Sequence, residues 1–173
     1  MKTIVIYKSK TGFVKRYAEW IARELSADIF EASRVTPDQF AAYDTVIYGG
    51  GLYAAGINGI KLITLNLDRL KGKKVVIFAS GASPATEEAI NDVINKNFTA
   101  GQLKQIRFFY LRGGFDYSKL KLVDKILMTL LKWKLKRKKD LTPDEKGMLH
   151  AYEKPVDFTN QKNIKDLIAY VRQ

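Results

Sequence analysis

The fold is decided by the stretch Thr3-Ile4-Val5-Ile6-Tyr7-Lys8-Ser9-Lys10-Thr11-Gly12-Phe13-Val14. Its first five residues form a near-continuous apolar run, which is typical of a parallel strand buried on both faces. Apolar residues then recur at helical spacing from Phe13 to Leu25. The stretch therefore predicts a buried strand that leads through a short loop directly into a helix.

Further along the chain, apolar runs alternate with stretches of helical spacing. The runs predict strands at residues 28–32, 45–48, 75–79 and 106–111, and Gly49-Gly50-Gly51 is expected to stop the strand that begins at residue 45. Helices are predicted over 57–67, from Pro84 to about Phe98, and from about Asn160 to Val171. This alternation predicts an α/β fold with a parallel sheet, and no linker or repeat divides residues 1–173 into more than a single domain.

Composition excludes several kinds of site. The 173 residues include no cysteine, which excludes disulfides, thiolate metal ligands and cysteine nucleophiles, and they include one histidine, His150. The first residues lack the apolar segment of a signal peptide, and no run approaches the ~18 apolar residues of a membrane-spanning helix. We therefore expect a cytoplasmic protein.

The loop from Lys8 to Val14 has the features of a phosphate site. In open parallel sheets, ligands bind beyond the carboxyl ends of the strands, where the strand order reverses. The helix that follows the loop supplies free N–H groups and the positive end of its dipole, and Ser9 and Thr11 carry hydroxyl donors. Gly12 lets the backbone approach an anion closely. From the loop alone, an ordinary strand-to-helix turn remains an open alternative.

The segment Ile6-Tyr7-Lys8-Ser9-Lys10-Thr11-Gly12 resembles the FMN-phosphate motif of flavodoxins, an aromatic-x-Ser/Thr-x-Thr-Gly-x-Thr pattern after the first strand. Ser9, Thr11 and Gly12 match the pattern, whereas Val14 stands where the family usually has a threonine that also contacts the phosphate. One of the two lysines in the loop could compensate through its charge. The resemblance implies FMN as the cofactor and a flavodoxin-like three-layer sandwich, with a five-stranded parallel sheet of order 2-1-3-4-5.

Flavodoxins bind the isoalloxazine ring with two more loops, which follow the third and fourth strands. The corresponding segments here are residues 49–56 and 80–84, whose glycines let backbone N–H and C=O groups reach the ring. Tyr53 is the candidate for stacking on the ring, and Phe115 or Tyr117 could cover its other face. The resemblance assigns the following residues to FMN binding: Ser9, Lys10, Thr11, Gly12, Phe13, Val14, Gly50, Gly51, Leu52, Tyr53, Ser80, Gly81 and Ala82.

Two other interpretations of the glycine-bearing loops are weaker. Residues 49–54 formally match the dinucleotide fingerprint G-x-G-x-x-G/A, but they follow the third predicted strand instead of the first. No acidic residue ends a strand about 20 residues further on, as that fingerprint requires. Receiver domains share the fold but need acidic residues after the first strand to hold a metal, and Lys8 and Ser9 occupy that position.

The net charge of +12 is concentrated in one segment. From Lys104 to Lys139 there are twelve lysines and arginines against two aspartates, a net charge of +10. A basic amphipathic helical segment is predicted at about 115–147, and Thr142-Pro143-Asp144-Glu145 resembles a capping box within it. The predicted apolar stripe of the helix consists of Leu120, Val123, Leu127, Leu130 and Leu131, with Leu122, Ile126 and Trp133 beside it.

The residues Leu120–Lys139 have the composition of an interfacial helix that binds an anionic membrane surface. The alternative is that the apolar face packs on the domain while the charges are solvated. Nucleic acid is not expected as a partner, because no recognised binding module surrounds the charge.

The tail extends the resemblance to one flavodoxin subgroup, the bacterial quinone-dependent protoporphyrinogen dehydrogenases. It rests on Leu111-Arg112-Gly113-Gly114-Phe115-Asp116-Tyr117 followed by the basic helix. This resemblance implies an FMN oxidoreductase that passes electrons from a porphyrinogen-like hydrophobic donor to quinone, at the inner face of the membrane. The alternatives are a non-catalytic flavodoxin-like electron carrier that docks on a redox partner protein, and a cofactor-free binding domain.

The chemistry expected of a bound flavin needs no acid–base pair from the protein, because the cofactor itself carries the redox reaction. We therefore assign no catalytic residue. Reduced FMN is anionic, so positive surroundings favour reduction. The basic charge predicts a higher reduction potential than that of the acidic flavodoxins.

Overall fold

The computed structural model describes residues 1–53, 55–120, 122–141 and 143–173. The strands are β1 (Thr3–Lys8), β2 (Asp28–Glu31), β3 (Thr45–Tyr53), β4 (Gly56–Ile57), β5 (Lys74–Gly81), β6 (Ile106–Arg112), β7 (Gly114–Phe115) and β8 (Val156–Asp157). The α-helices are α1 (Phe13–Leu25), α2 (Lys61–Thr64), α3 (Glu87–Asn97), α4 (Ala100–Leu103), α5 (Leu122–Lys136), α6 (Pro143–Ala151) and α7 (Lys165–Arg172).

The main sheet has the predicted order. β2, β1, β3, β5 and β6 lie side by side in that sequence, and every neighbouring pair is parallel. This is the order 2-1-3-4-5 with one addition, the two-residue β4, which pairs antiparallel with the end of β3. β7 and β8 form a separate antiparallel pair. The strand order reverses between β1 and β3, so the ligand edge expected for this topology lies beside β1.

Helices cover both faces of the sheet. Successive strand residues point to opposite faces, so the strands contribute to two separate buried clusters. One cluster joins the sheet to α2 and α3, and the other joins it to α1 and α7. The result is the predicted three-layer α/β sandwich.

The bounds of α1 agree with the sequence prediction. Its buried residues recur at helical spacing and are Phe13, Val14, Tyr17, Ala18, Ile21 and Ala22. Gly12 precedes the helix at φ +95°, a left-handed conformation that glycine adopts without a Cβ clash. Gly12 thereby turns the chain from the loop after β1 into α1.

The glycines 49–51 do not end β3, so that prediction is wrong. The strand continues through them to Tyr53. A Cβ on Gly49 would lie only 2.0 Å from Cζ of Phe78, and one on Gly50 would lie 2.8 Å from the carbonyl oxygen of Asn58. In this central strand, glycine makes room for close neighbours instead of terminating the strand.

The start of α3 also differs from the prediction, which had placed Pro84 as the first helical residue. The helix begins at Glu87, because the hydroxyl oxygen of Thr86 accepts a hydrogen bond from the N–H of Ala89 at 3.2 Å. Thr86 is therefore the N-cap, and the preceding residues are not helical.

Two other predicted helices are shorter than expected. The helix predicted over 57–67 is reduced to α2, because Ile57 belongs to β4. The basic segment at 115–147 contains α5 and the beginning of α6, and the proposed N-cap at Thr142 lies outside the described residues. None of the helices in the described ranges is long and apolar enough to span a bilayer.

Candidate cofactor site

The first two predicted cofactor segments meet at the carboxyl edge of the sheet. The register pairs Lys8 of β1 with Gly50 of β3, and Gly51 with Ser80 of β5. Packing brings them closer still, since a Cβ on Gly51 would lie 3.6 Å from Cγ2 of Val14 at the start of α1. A ligand on the loop before α1 would therefore also contact the end of β3.

The third segment lies against the second. A Cβ on Gly81 would lie 3.0 Å from Cδ1 of Leu52 and 3.1 Å from the hydroxyl oxygen of Tyr110. Nε of Arg112 donates a hydrogen bond to the carbonyl oxygen of Ala82 at 3.2 Å. Arg112 thus brings a guanidinium group to this edge, although the sequence did not identify it as a site residue.

The loop between β1 and α1 retains its donors for an anion. Oγ of Ser9 accepts a hydrogen bond from the N–H of Gly12 at 3.1 Å, and a hydroxyl that accepts can still donate its own hydrogen. No side chain in the described part of the chain caps α1, and the first N–H groups of a helix have no acceptor within the helix. The loop therefore suits a phosphate group.

Phe13 and Val14 can contribute to such a site only through their backbone. Both side chains are buried, and Val14 joins the cluster that α1 shares with the sheet and α7. The ring of Phe13 packs against Gly114, because a Cβ on Gly114 would lie only 2.6 Å from Cζ of Phe13. The position where flavodoxins usually have a threonine hydroxyl is here a packing position.

Lys10 does not present an uncompensated charge to the loop. Its ammonium nitrogen lies 2.5 Å from Oδ1 of Asp124 in α5, whose side chain is only 10% exposed. The same nitrogen lies 5.4 Å from the centroid of the Tyr53 ring. The sequence analysis did not identify Asp124 as a site residue. The feature that could have identified it is an acidic side chain within a strongly basic helix.

An aromatic cluster lies near this edge. The ring of Tyr152 is centred 5.5 Å from those of both Phe115 and Tyr117, the two candidates for covering the flavin. Burial raises the pKa of Tyr152 to about 12, with further contributions from the hydroxyls of Tyr117 and Tyr53. Tyr152 also donates a hydrogen bond to the carbonyl oxygen of Met128 at 2.7 Å, which joins the cluster to α5. The sequence did not identify Tyr152.

The residues at this edge fit FMN. Two buried hydroxyl oxygens lack a hydrogen-bond partner in the described ranges, those of Thr45 and Ser80. Thr45 lies at the opposite edge of the sheet, whereas Ser80 lies in the third cofactor segment, where its hydroxyl is buried against Gly113. A Cβ added to Gly12 would have no other atom within 4 Å, so the backbone at Gly12 is open to an anion. Within the described residues, no group of three or more His, Cys, Asp or Glu side chains could hold a metal ion.

Known proteins resemble the chain to differing degrees. An uncharacterized protein of Methanocaldococcus jannaschii is 28% identical over 125 residues, which cover 70% of this chain and 82% of the relative. A flavodoxin from the domain Archaea is 19% identical, with a TM-score of 0.46 over 69% of this chain and 89% of the other. The two-electron reduced flavodoxin of Megasphaera elsdenii is 17% identical, with a TM-score of 0.47 over 64% of this chain and 85% of the other.

The family assignment rests on a match that spans most of the chain. Residues 4–142 match the model of the flavodoxin domain, a range that contains β1 from its second residue, β2 to β6 and all three cofactor segments. The match agrees with the observed sheet order and with FMN as the predicted cofactor. The chain belongs to the flavodoxin domain family.

Proposed function

We propose that the protein is an FMN-dependent oxidoreductase that exchanges electrons with hydrophobic small molecules and uses quinone as the acceptor. The observation that carries the proposal is the convergence of three segments at one sheet edge, with Gly51 against Val14 and Gly81 against Leu52. The flavin supplies the electron transfer when it is bound, and the protein binds, orients and tunes it.

Each segment has a distinct role in this proposal. The loop before α1 binds the phosphate through the hydroxyls of Ser9 and Thr11 and through backbone N–H groups. The ends of β3 and β5, including Ser80, supply backbone groups to the polar edge of the ring, and Tyr53 packs on one face.

The surroundings of the edge support a hydrophobic electron partner. Phe115 and Tyr117 are half-buried and pack with the buried Tyr152 in an aromatic cluster near Tyr53. Arg112 adds positive charge beside Ala82, which favours the anionic reduced flavin and hence a potential suited to reducing quinone. A protoporphyrinogen is the donor that follows from the resemblance of the tail, and it is the substrate to test first.

The alternative function is a non-catalytic electron carrier that docks on a redox partner protein. The exposed lysines and arginines of α5 and of the residues after it favour an acidic partner in that case. The two functions differ in whether the isolated protein catalyses the oxidation of a donor by quinone.

The decisive experiment uses the full chain after it has been loaded with FMN. Flavin absorbance and a 1:1 stoichiometry are expected first, and a chain that does not retain FMN would contradict both functions. Protoporphyrinogen oxidation is then followed anaerobically with a soluble quinone. Turnover that depends on both FMN and quinone supports the oxidoreductase, whereas a flavin that is reduced and reoxidised only by a partner protein supports the carrier.

A further inference from the structure

The helix α5 turns an apolar stripe away from the domain. Its most exposed apolar side chains are Leu122 (75%), Leu130 (58%), Trp133 (56%) and Ile126 (55%). They are spaced by four, four and three residues, so they lie along one side of the helix. Asp124 and Leu135, on the opposite side, are buried.

Specific contacts hold the inner side of α5 on the domain. Asp124 pairs with Lys10, and the carbonyl oxygen of Met128 accepts the hydrogen bond from Tyr152. A rotation that buried the apolar stripe would break both contacts. The observed stripe differs from the predicted one, because it consists of Leu130 and of the three residues predicted to lie beside that stripe, Leu122, Ile126 and Trp133. Leu131, predicted to belong to the stripe, is half-buried instead.

Cationic side chains flank the stripe. At 100° per residue, Lys125 and Lys136 border one side of it and Lys134 borders the other. The guanidinium carbon of Arg137 lies 3.4 Å from the centroid of the Trp133 ring. Long basic side chains can lay their stems along an apolar surface and keep their charges at the level of lipid headgroups.

We propose that α5 lies in the headgroup region of an anionic lipid bilayer. Its apolar stripe inserts among the lipid chains, and its flanking lysines contact anionic headgroups. A second copy of the chain fits this face less well, because two such helices would bring lysines against lysines. An apolar stripe with lysines on both sides is complementary to an anionic bilayer surface.

This docking places the candidate cofactor site at the membrane. The inner side of α5 contacts Lys10 in the loop before α1, so a bilayer on the outer side lies one helix away from that loop. The inference depends on the exposed face of α5 and not on the proposed function. Its test is therefore made on the chain with and without FMN.

Vesicle sedimentation tests the proposal directly. The full chain is mixed with vesicles of phosphatidylcholine alone or with phosphatidylglycerol added. We expect binding to the anionic vesicles, weaker binding as salt is raised, and little binding to the neutral vesicles. Failure to bind the anionic vesicles would overturn the proposal and would leave the redox function untouched.

Fluorescence tests whether the stripe inserts. In a Trp20→Phe background, Trp133 is the remaining tryptophan, and its emission is expected to shift to shorter wavelength on anionic vesicles. Binding without this shift would mean adhesion by charge alone and would contradict insertion.

Matched variants test which surface is used. Ile126→Gln/Leu130→Gln removes the centre of the stripe and is expected to weaken vesicle partitioning by roughly tenfold or more. Leu65→Gln/Leu103→Gln replaces two exposed leucines elsewhere and should leave it unchanged. Equal effects of the two double variants would overturn the assignment to α5. The proposal would also be overturned if sedimentation velocity showed that the wild-type chain is a dimer and that Ile126→Gln/Leu130→Gln is a monomer.

Discussion

The ammonium nitrogen of Lys10 lies 2.5 Å from a carboxylate oxygen of Asp124, although 114 residues separate them along the chain. The contact joins the loop before α1 to α5, and the carboxylate is nearly buried while the lysine is 40% exposed. A buried carboxylate depends strongly on its partner, so the two side chains act as a unit. This pair adds nearly no net charge to the candidate phosphate site.

Loss of Lys10 should weaken FMN binding through the carboxylate that it leaves behind. In Lys10→Ala, Asp124 stands uncompensated beside the loop and repels the phosphate, so the dissociation constant should rise roughly tenfold. In Asp124→Asn the lysine is released toward the anion, and FMN should bind several-fold more tightly. Titration calorimetry measures both.

The double variant Lys10→Ala/Asp124→Asn distinguishes the unit from two independent residues. We expect its FMN affinity to lie near that of the wild-type chain, because both charges are removed together. An affinity as low as that of Lys10→Ala would mean that the lysine contacts the phosphate itself.

Gly12 should matter for both stability and FMN binding. Its φ of +95° disfavours any residue with a Cβ, so Gly12→Ala should lower the free energy of unfolding by about 1–2 kcal/mol. Gly72→Ala is the matched control, since Gly72 also has a positive φ, of +77°, and open space around it. Both variants should be destabilised alike in urea, but only Gly12→Ala should bind FMN more weakly. Equal FMN affinities would argue against the loop as the phosphate site.

The glycine run in β3 should not tolerate side chains. Gly49→Ala forces a methyl group into the ring of Phe78, and we expect a loss of about 1–3 kcal/mol in the free energy of unfolding. Gly147→Ala in α6 has open space and should instead stabilise the protein by up to about 1 kcal/mol. Urea unfolding of the two variants measures the contrast, and a harmless Gly49→Ala would mean that the strand can shift there.

The stability of the chain should depend on the ionised form of Asp116. A 2.5 Å hydrogen bond from the Ser118 hydroxyl holds the pKa of Asp116 below its ordinary value of 3.8, against the opposing effect of burial and with help from Lys119. Because the folded-state pKa lies below the unfolded one, this stabilisation is present above about pH 4 and is lost as pH falls through the folded-state pKa.

Ser118→Ala tests this dependence. The variant should be less stable than the wild type by about 1–2 kcal/mol at neutral pH, and the difference should shrink in acid as Asp116 is protonated. Unfolding by urea at pH 7 and near pH 3 measures it. In an Asp116→Asn background the pH dependence of the difference should vanish, and its persistence would assign the effect to another group.

Arg112 should raise the reduction potential of bound flavin. Arg112→Gln removes a positive charge beside Ala82, so the anionic reduced form loses stabilisation and the midpoint potential should fall by on the order of tens of millivolts. Arg112→Lys keeps the charge and should retain most of the potential. Spectroelectrochemical titration compares the three proteins, and equal potentials would exclude Arg112 as a tuning group.

The strand order followed from the resemblance to flavodoxins. Local patterns in the sequence were sufficient to predict the parallel sheet, the bounds of α1 and a phosphate-binding loop before it. Buried strands and amphipathic helices carry distinct periods, and a loop that begins a helix has its donors within a few residues. These features depend on neighbours along the chain.

Tertiary structure alone decided what the glycines of β3 and the basic helix do. Gly49 is a packing residue because the ring of Phe78 occupies the space beside it, and no local pattern contains that contact. Asp124 reaches Lys10, and Arg112 reaches Ala82, only after distant elements have packed. Periodicity predicts that α5 has an apolar side, but the direction of that side depends on which contacts hold the helix. In the folded chain, those contacts lie on the opposite face, so the apolar stripe faces outward.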